Sequence, residues 1–534
     1  MNFPEISRSH RPGLALLSGV LLALSYPRFD LFPLAFIALV PLLLAVGKSR
    51  FREAFGLGLL AGIVFFALLL HWLVPVMVRF GGLPWIAGIA SFSLLVGYLA
   101  AYIGVFAAIT AHWRRLYGVA GLLLAPIAWV ALELLRARVF GGFPWGLLGY
   151  SQSSNLPLLQ SAALGSVYLV SLLVAASNVA TAALIIGAVR GARRTVPSLL
   201  LALVALAHLG GAVVLATSTT PEEGVTIALI QANVAQERKW DRGAEEEIVS
   251  DLITMTRRAA AAGARIVIWP ESSSPLSFRY PGLARNGEVS EPIVVERAGY
   301  ADRVASLARE LDIELIVGSV DYRVEGGRVQ ALNSAFRIGA DGTLGPTYDK
   351  VHLVPFGEYV PFGPLLSFVN PLVEGAIADF EPGRRYDPLP TRAGLAATVI
   401  CYEVIFPRIV TRVGRGAAFL VNITNDAWFG RSAGPHQHLA MARVRAVEMG
   451  RDLVRAANTG ISALVDPHGR IVKRSRLEER ALLVGRIHPR TGLTLSARLS
   501  DRGAWACAIL TALFLMRGAF RRRGSDPQPG HVVS

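Results

Sequence analysis

Apolar stretches long enough to cross a bilayer, or nearly so, fill the first 217 residues, at about 12–27, 31–46, 54–78, 84–111, 119–135, 159–189 and 195–217. One more, about 503–516, lies near the C-terminus. In hydrocarbon each backbone N–H and C=O must be paired within its own segment, which confines such stretches to helices. Hydrophobic residues make up 53% of the 534 and charged residues 17%; mean hydropathy is +0.47, too apolar for an ordinary soluble protein. The expected organisation is a membrane domain over 1–217 with about seven transmembrane helices, an extracytoplasmic domain over 218–490, a last helix over 503–516 and a basic tail over 517–534. The first stretch is expected to be an uncleaved anchor, because no small-residue cleavage site follows it and another apolar run begins at once. The first two stretches are short, and a re-entrant hairpin is the alternative for them.

The placement of charge gives the orientation. Net charge is +15, but no basic, aromatic-interleaved module accompanies it, so nucleic acid is not an expected partner. The excess sits in short clusters between apolar runs. On one side are Arg8 and Arg11, then Lys48, Arg50 and Arg52, then Arg114 and Arg115, then Arg190, Arg193 and Arg194, and last Arg517, Arg521, Arg522 and Arg523. The other side has Arg28, then Arg79, then Arg136 and Arg138. By the positive-inside rule both termini are cytoplasmic and 218–502 lies outside. Gly58 and Gly62 form a small-xxx-small pair suited to close helix approach. His71 and Glu133 lie in or at the ends of spans; a helix contact for His71 and an interfacial position for Glu133 are the preferred readings over a functional one. The Gly-rich aromatic loop Phe140 to Gln152, with Trp145, reads equally as an interfacial belt or as a substrate-contacting arm.

From Gly224 the texture changes. Val225–Ile230 reads as a strand, followed by a polar helix at about 243–262 and a strand at Arg265–Trp269. A second helix is expected at about 297–311, strands at 314–320, 334–338, 396–401 and 417–423, a helix at 436–452, and a turn at Asp466-Pro467-His468-Gly469 after a strand at Ser462–Val465. Strands alternating with helices make an α/β domain.

Three polar residues in apolar settings stand out there: Glu271 after Ile266-Val267-Ile268-Trp269-Pro270, Lys350 in Tyr348-Asp349-Lys350-Val351-His352-Leu353-Val354-Pro355-Phe356-Gly357-Glu358, and Cys401 after Ala396-Ala397-Thr398-Val399-Ile400. Singly, each has a commoner explanation: a cysteine at a strand end is usually a small buried hydrophobe, a glutamate after a strand a helix-start residue, a lysine in a loop a solvated charge. Together they are the parts of an activated nucleophile. The thiolate attacks, an ammonium lowers its pKa and stabilises an oxyanion, and a carboxylate carries the proton. The other cysteine, Cys507, lies in an apolar run, so no disulfide is implied. His436 and His438 are two apart with no third ligand spaced for zinc, and no cofactor motif is present; no metal or cofactor is expected.

These residues carry a family resemblance. Trp269-Pro270-Glu271, Lys350 in its Tyr-Asp-Lys-Val-His-Leu-Val-Pro-Phe-Gly-Glu-Tyr-Val-Pro setting, and Cys401-Tyr402-Glu403 resemble the Glu-Lys-Cys signature of the nitrilase (carbon–nitrogen hydrolase) superfamily. The flanking spans, the Phe-Pro-Trp-Gly loop and Val421 to Gly430 narrow the resemblance to the bacterial apolipoprotein N-acyltransferases, along the whole chain. The resemblance implies a multispan α-helical membrane domain plus an α-β-β-α sandwich. It implies Glu271 as general base and acid, Lys350 as oxyanion stabiliser, Cys401 as nucleophile, and supporting roles for Trp240, Glu358, Tyr402 and Glu403. It further implies transfer of the sn-1 acyl chain of a phospholipid, typically phosphatidylethanolamine, through a thioester to the α-amine of a diacylglyceryl-cysteine apolipoprotein at the bacterial inner membrane, with the catalytic domain periplasmic and membrane lipids as partners. Phe356 to Val373 and Ala427 to Gly434 are the expected mobile loops over the pocket. The chief alternative is a membrane-tethered amidase or nitrilase with the same triad; a transporter or scaffold with an inactive domain leaves the triad unexplained.

Overall fold

The computed structural model describes residues 7–47, 49–190, 194–219, 221–239, 241–283, 292–296, 298–325, 327–359 and 380–523. The chain divides into a helical unit, Met1–His71, Ser93–Val213 and Asp501–Ser534, and an α/β unit, Trp72–Phe92 and Val214–Ser500.

Among the described residues, five helices are long and apolar enough to cross a membrane: Phe51–Leu70, Trp85–Tyr117, Val119–Arg136, Ala162–Gly187 and Thr195–Thr217. Leu199, Leu203, Leu206 and Leu209 of the last are largely exposed, a surface that is stable against lipid and not against water. The first two apolar stretches are shorter. Arg11–Leu24 is a 14-residue helix, and 31–46 is split into a 3-10 turn, Phe32–Phe36, and a helix, Val40–Val46; Pro41 stands in the first turn of that helix, where its missing N–H is tolerated. The run read as continuous from 54 to 78 is also broken. Its first helix ends at Leu70 and a separate one spans Leu73–Arg79, because Pro75 has no N–H to offer the carbonyl of His71.

Gly58 and Gly62 sit where two of these helices meet. A Cβ on Gly62 would lie 2.7 Å from Ala100 Cα, and one on Gly58 would lie 2.6 Å from Ala107 Cβ. Glu133 is buried rather than interfacial. It accepts the Trp129 indole N–H at 2.9 Å and the Leu148 N–H at 2.6 Å, so it caps the loop that follows its own helix. His71 is exposed, with Nδ1 3.0 Å from the Leu68 carbonyl.

The α/β unit is built on two six-stranded sheets. The strands are β1 Val225–Gln231, β2 Ile266–Ile268, β3 Arg279–Leu283, β4 Pro292–Glu296, β5 Glu314–Glu325, β6 Arg328–Ile338, β7 Leu344–Asp349, β8 Leu389–Thr391, β9 Gly394–Ile400, β10 Phe419–Thr424, β11 Leu453–Ala457, β12 Ala463–Val465, β13 Ile471–Arg474 and β14 Ala481–Ile487. One sheet has the order β14-β1-β2-β5-β6-β7, the other β13-β12-β11-β10-β9-β8, and β3 and β4 form a hairpin. β1, β2 and β5 run parallel, as do β9, β10 and β11. These central strands are largely apolar because both of their faces are covered, with buried polar exceptions such as Asn422, Thr424 and Arg455. The helices Glu245–Ala261 and Ala298–Leu311 pack on the first sheet, where Ile248, Leu252, Met255, Val304 and Ala308 meet Val267, Leu315, Val317 and Phe336. Pro407–Val413 and Gly434–Met449 pack on the second, against β9 and β11. The layering is α-β-β-α, as expected from the sequence.

Candidate active site

In sheets of this kind ligands gather at the carboxyl ends of the parallel strands, and the polar residues of interest all lie at strand ends or edges. Glu271 stands three residues past the end of β2, Lys350 follows β7 directly, and Cys401 follows β9 directly. Gly318, inside β5, lets the Pro270–Glu271 backbone pass close by: a Cβ there would lie 2.7 Å from Glu271 Cα.

Glu271 and Lys350 are both buried and ion-paired, Nζ to Oε1 at 3.3 Å. Lys350 Nζ also donates to Glu358 Oε1 at 2.8 Å. Asn333 Nδ2, from β6, donates to the same two oxygens, at 2.8 Å to Glu271 and 3.0 Å to Glu358. Two donors therefore bridge two carboxylates that would otherwise repel. The remaining oxygens are held by backbone: Glu271 Oε2 accepts the Asn425 N–H at 2.7 Å and Glu358 Oε2 the Val354 N–H at 2.8 Å. A second buried cation, Lys239, donates to the Glu271 carbonyl at 3.2 Å. Two carboxylates and two ammonium groups thus balance in charge.

The pKa directions follow. Burial raises the Glu271 carboxyl, but Lys350, Asn333, Lys239 and the Cys401 thiol outweigh it, and it ends below its ordinary value. Burial alone would lower Lys350; Glu358 and then Glu271 reverse that and raise it. Lys239 is pushed down to about 8 by burial, opposed by Glu271. Burial, reinforced by the Glu271 charge, raises the Cys401 thiol well above its ordinary value, with Lys350 opposing. At neutral pH the site holds a carboxylate, an ammonium and an undissociated thiol.

Cys401 has φ +51°, a left-handed conformation that costs a side-chain-bearing residue of order 1–3 kcal/mol. It opens a 3-10 turn, Cys401–Ile405. Glu403 anchors that turn. Its Oε2 accepts the Ile400 N–H at 2.7 Å, and its Oε1 accepts the Val351 N–H at 2.7 Å and the His352 N–H at 3.1 Å. The Tyr348 hydroxyl donates to both oxygens at 3.1 Å. One buried carboxylate, pushed up to about 7 by burial and held down by these donors, fixes the backbone beside Lys350 to the backbone beside Cys401.

Comparison with known proteins decides what this assembly belongs to. A family model described as the apolipoprotein N-acyltransferase N-terminal domain matches residues 18–180, and one described as carbon-nitrogen hydrolase matches 226–494. An apolipoprotein N-acyltransferase of Geobacter metallireducens is 42% identical over 529 residues, covering 96% of each chain. The chain belongs to the apolipoprotein N-acyltransferase family. An apolipoprotein N-acyltransferase of Azotobacter vinelandii is 34% identical over 544 residues, covering 99% of each chain. Among solved structures, Nit3 of Saccharomyces cerevisiae, a member of branch 10 of the nitrilase superfamily, is similar at 19% identity and a TM-score of 0.37, over 53% of this chain and 96% of that one.

Of the other residues singled out for this acyltransferase, Glu358 stands on Lys350, and Tyr402 and Glu403 lie in the Cys401 turn, with the Tyr402 ring edge-on to Phe406 at 5.2 Å. Trp145 is buried in the helical unit. The Arg136 guanidinium donates to its carbonyl at 2.6 Å, and its ring stacks on Phe143 at 6.4 Å. Trp240 lies outside the described residues, as does 360–373 of the loop read at Phe356 to Val373. The Ala427 to Gly434 segment is packed against Trp72–Phe92: Trp72 meets Phe429 edge-on at 4.8 Å and Phe80 meets Trp428 at 5.0 Å. Lys239, Asn333 and Asn425 were not singled out from the sequence. Asn333 sits mid-strand in the Asn333-Ser334 pair of β6, where a polar residue on a buried strand was the available signal.

Proposed function

We propose that this chain transfers an acyl group from a phospholipid to the N-terminal α-amine of a diacylglyceryl-cysteine apolipoprotein, with Cys401 as nucleophile. The observation that carries the reading is the buried Glu271–Lys350 pair in a chain whose likeness to apolipoprotein N-acyltransferases runs through both its helical and its α/β parts. A hydrolase of small amides needs no such membrane portion.

In the first step Cys401 Sγ attacks the sn-1 ester carbonyl while the thiol proton passes to Glu271. Because the resting thiol is undissociated, this transfer accompanies attack rather than preceding it. The oxyanion that forms is adjacent to the Lys350 ammonium, which remains charged throughout. Collapse expels the lysophospholipid alkoxide, which takes the proton back from Glu271 and leaves the acyl thioester. In the second step the apolipoprotein amine attacks the thioester, Glu271 accepts its proton, and the proton returns to the departing Cys401 thiolate. Dividing the exchange this way lets one acid–base residue serve both halves. Holding both lipid-anchored substrates at one bilayer face supplies proximity. Glu358 and Asn333 keep Lys350 and Glu271 in register, and Glu403 keeps Cys401 beside them. Phosphatidylethanolamine is the proposed donor, and the proposed location is the bacterial inner membrane with the α/β unit on the periplasmic face and both termini cytoplasmic, following the Arg/Lys distribution. Trp240 is a proposed acyl-chain contact, and Trp145 a proposed supporting residue.

The test is a reconstituted reaction of phosphatidylethanolamine vesicles, a diacylglyceryl-cysteine peptide and the full chain, read by fragment mass spectrometry. An acyl amide on the α-amine with stoichiometric lysophospholipid is expected. Free fatty acid as the main product, with the peptide unmodified, would establish a hydrolase instead.

A further inference from the structure

A second charged cluster, Asp426, His438 and Arg455, is fully buried and touches Cys401 through its main chain. Arg455 Nη2 donates to Asp426 Oδ2 at 2.7 Å and to His438 Nδ1 at 3.0 Å, and Nη1 donates to Asn422 Oδ1. Thr424 Oγ1 donates to Asp426 Oδ1 at 3.0 Å, and that oxygen is also 3.0 Å from His438 Nδ1. The far side of the ring faces the nucleophile: His438 Nε2 is 3.2 Å from the Cys401 carbonyl oxygen.

Since a carbonyl only accepts, Nε2 carries a proton, while Nδ1 lies 3.0 Å from both the Asp426 carboxylate and the Arg455 guanidinium. Burial and then the Arg455 charge lower the imidazole pKa, while Asp426 and the Cys401 carbonyl oppose that shift. The Nε2–H is therefore committed to the Cys401 backbone and is not available to the thiol. The Cys401 peptide is then held from both sides. Glu403 takes the Ile400 N–H before it, and His438 donates to the carbonyl after its Cα. This is the residue whose φ of +51° has to be enforced. The adjoining residue Asn425 gives its N–H to Glu271, so the Thr424–Asp426 segment steadies the base on one side and the histidine on the other.

We propose that His438 is a positioning residue for the acyl transfer: its Nε2–H fixes the Cys401 carbonyl, keeping the nucleophile in the left-handed turn that aims Sγ at the acyl carbonyl. The inference rests on the thioester reading above. The ring acts through the Cys401 backbone and takes no proton in the reaction.

The experiment compares His438→Gln, whose amide N–H reaches the Nε2 position, with His438→Asn, whose amide reaches only the Nδ1 position. Single-turnover acylation of the full chain by phosphatidylethanolamine in mixed micelles is followed by intact mass, beside the Tm of each variant. The expected result is acylation within about threefold of wild type for Gln and about 100-fold slower for Asn, the scale of an ångström-sized misplacement of a reacting group, with matching Tm values. His438→Leu, which has no donor, should be as slow as Asn and supplies the comparison if Asn does not fold. Equal acylation rates for Gln and Asn, whether fast or slow, would overturn the proposal, the latter showing that the ring only packs. A wild-type chain that never forms the adduct is a separate result, and would overturn the thioester reading on which the inference rests.

Discussion

Asn333 offers the most quantitative perturbation. Its Nδ2 donates to Glu271 Oε1 at 2.8 Å, and a hydrogen bond to a charged group contributes about 1.5–3 kcal/mol. One pKa unit corresponds to about 1.4 kcal/mol. Removing the donor in Asn333→Ala withdraws support from the ionised form only, so the Glu271 carboxyl should rise by about 1–2 units. In wild type its pKa lies below the ordinary 4.5, and with Glu271 as the proposed base the acid limb of acylation should lie there too. In the variant the limb should stand about 1–2 units higher. The neutral plateau should fall by less than about tenfold, because Lys350 and the Asn425 N–H still hold the carboxylate in its ionised form. The assay is single-turnover thioester formation from pH 4 to 8, with Tm at each pH as the folding control. An unmoved acid limb in a folded variant would refute the reasoning, since it would mean that Asn333 does not set the ionisation of the base.

Two further outcomes are expected. Gly318→Ala places a Cβ 2.7 Å from Glu271 Cα and should cost about 1–3 kcal/mol of stability by overpacking, together with a loss of acylation from the displaced base; calorimetry and the burst rate read these separately, and an unchanged burst rate would count against close packing there. Asp426 has its native pKa depressed: burial opposes the shift, but Arg455 and His438 prevail. The stability it contributes is complete above its unfolded value of 3.8 and should be lost progressively as pH falls below that; Asp426→Asn should flatten that part of a pH–denaturation curve, and an identical acid slope in the variant would contradict the assignment.

The parts of the fold that repeat were readable from the sequence. Apolar runs marked the helices, and alternation of helices with buried strands marked the α/β unit. Glu271 and Cys401 were visible because each follows an apolar strand, where a polar side chain needs a reason; Lys350 follows the polar β7 and stood out only together with them. What escaped notice depends on partners far away in the chain. Lys239 was not singled out, yet it is buried and donates to the Glu271 carbonyl. His438 was weighed only as a zinc ligand, because its partners Asp426 and Arg455 lie 12 and 17 residues away. Glu133 read as interfacial, since sequence does not reveal that the following loop folds back to donate to it. The break at Leu70 was hidden because Pro75 lies within an unbroken apolar run. The outer parts of β5 and β6 were under-read because their long antiparallel pair leaves many polar residues on its outer reaches, as in Arg328 to Gln330.

The central claim is that Cys401 carries the acyl group between donor and acceptor. Intact-protein mass spectrometry of the full chain after incubation with phosphatidylethanolamine tests it most directly. The account predicts a single acyl adduct on Cys401 that is sensitive to hydroxylamine, absent from Cys401→Ala, and discharged onto the amine of an added diacylglyceryl-cysteine peptide. Acyl transfer to the peptide by Cys401→Ala at the wild-type rate, or its occurrence with no adduct in a rapid-quench time course, would contradict it.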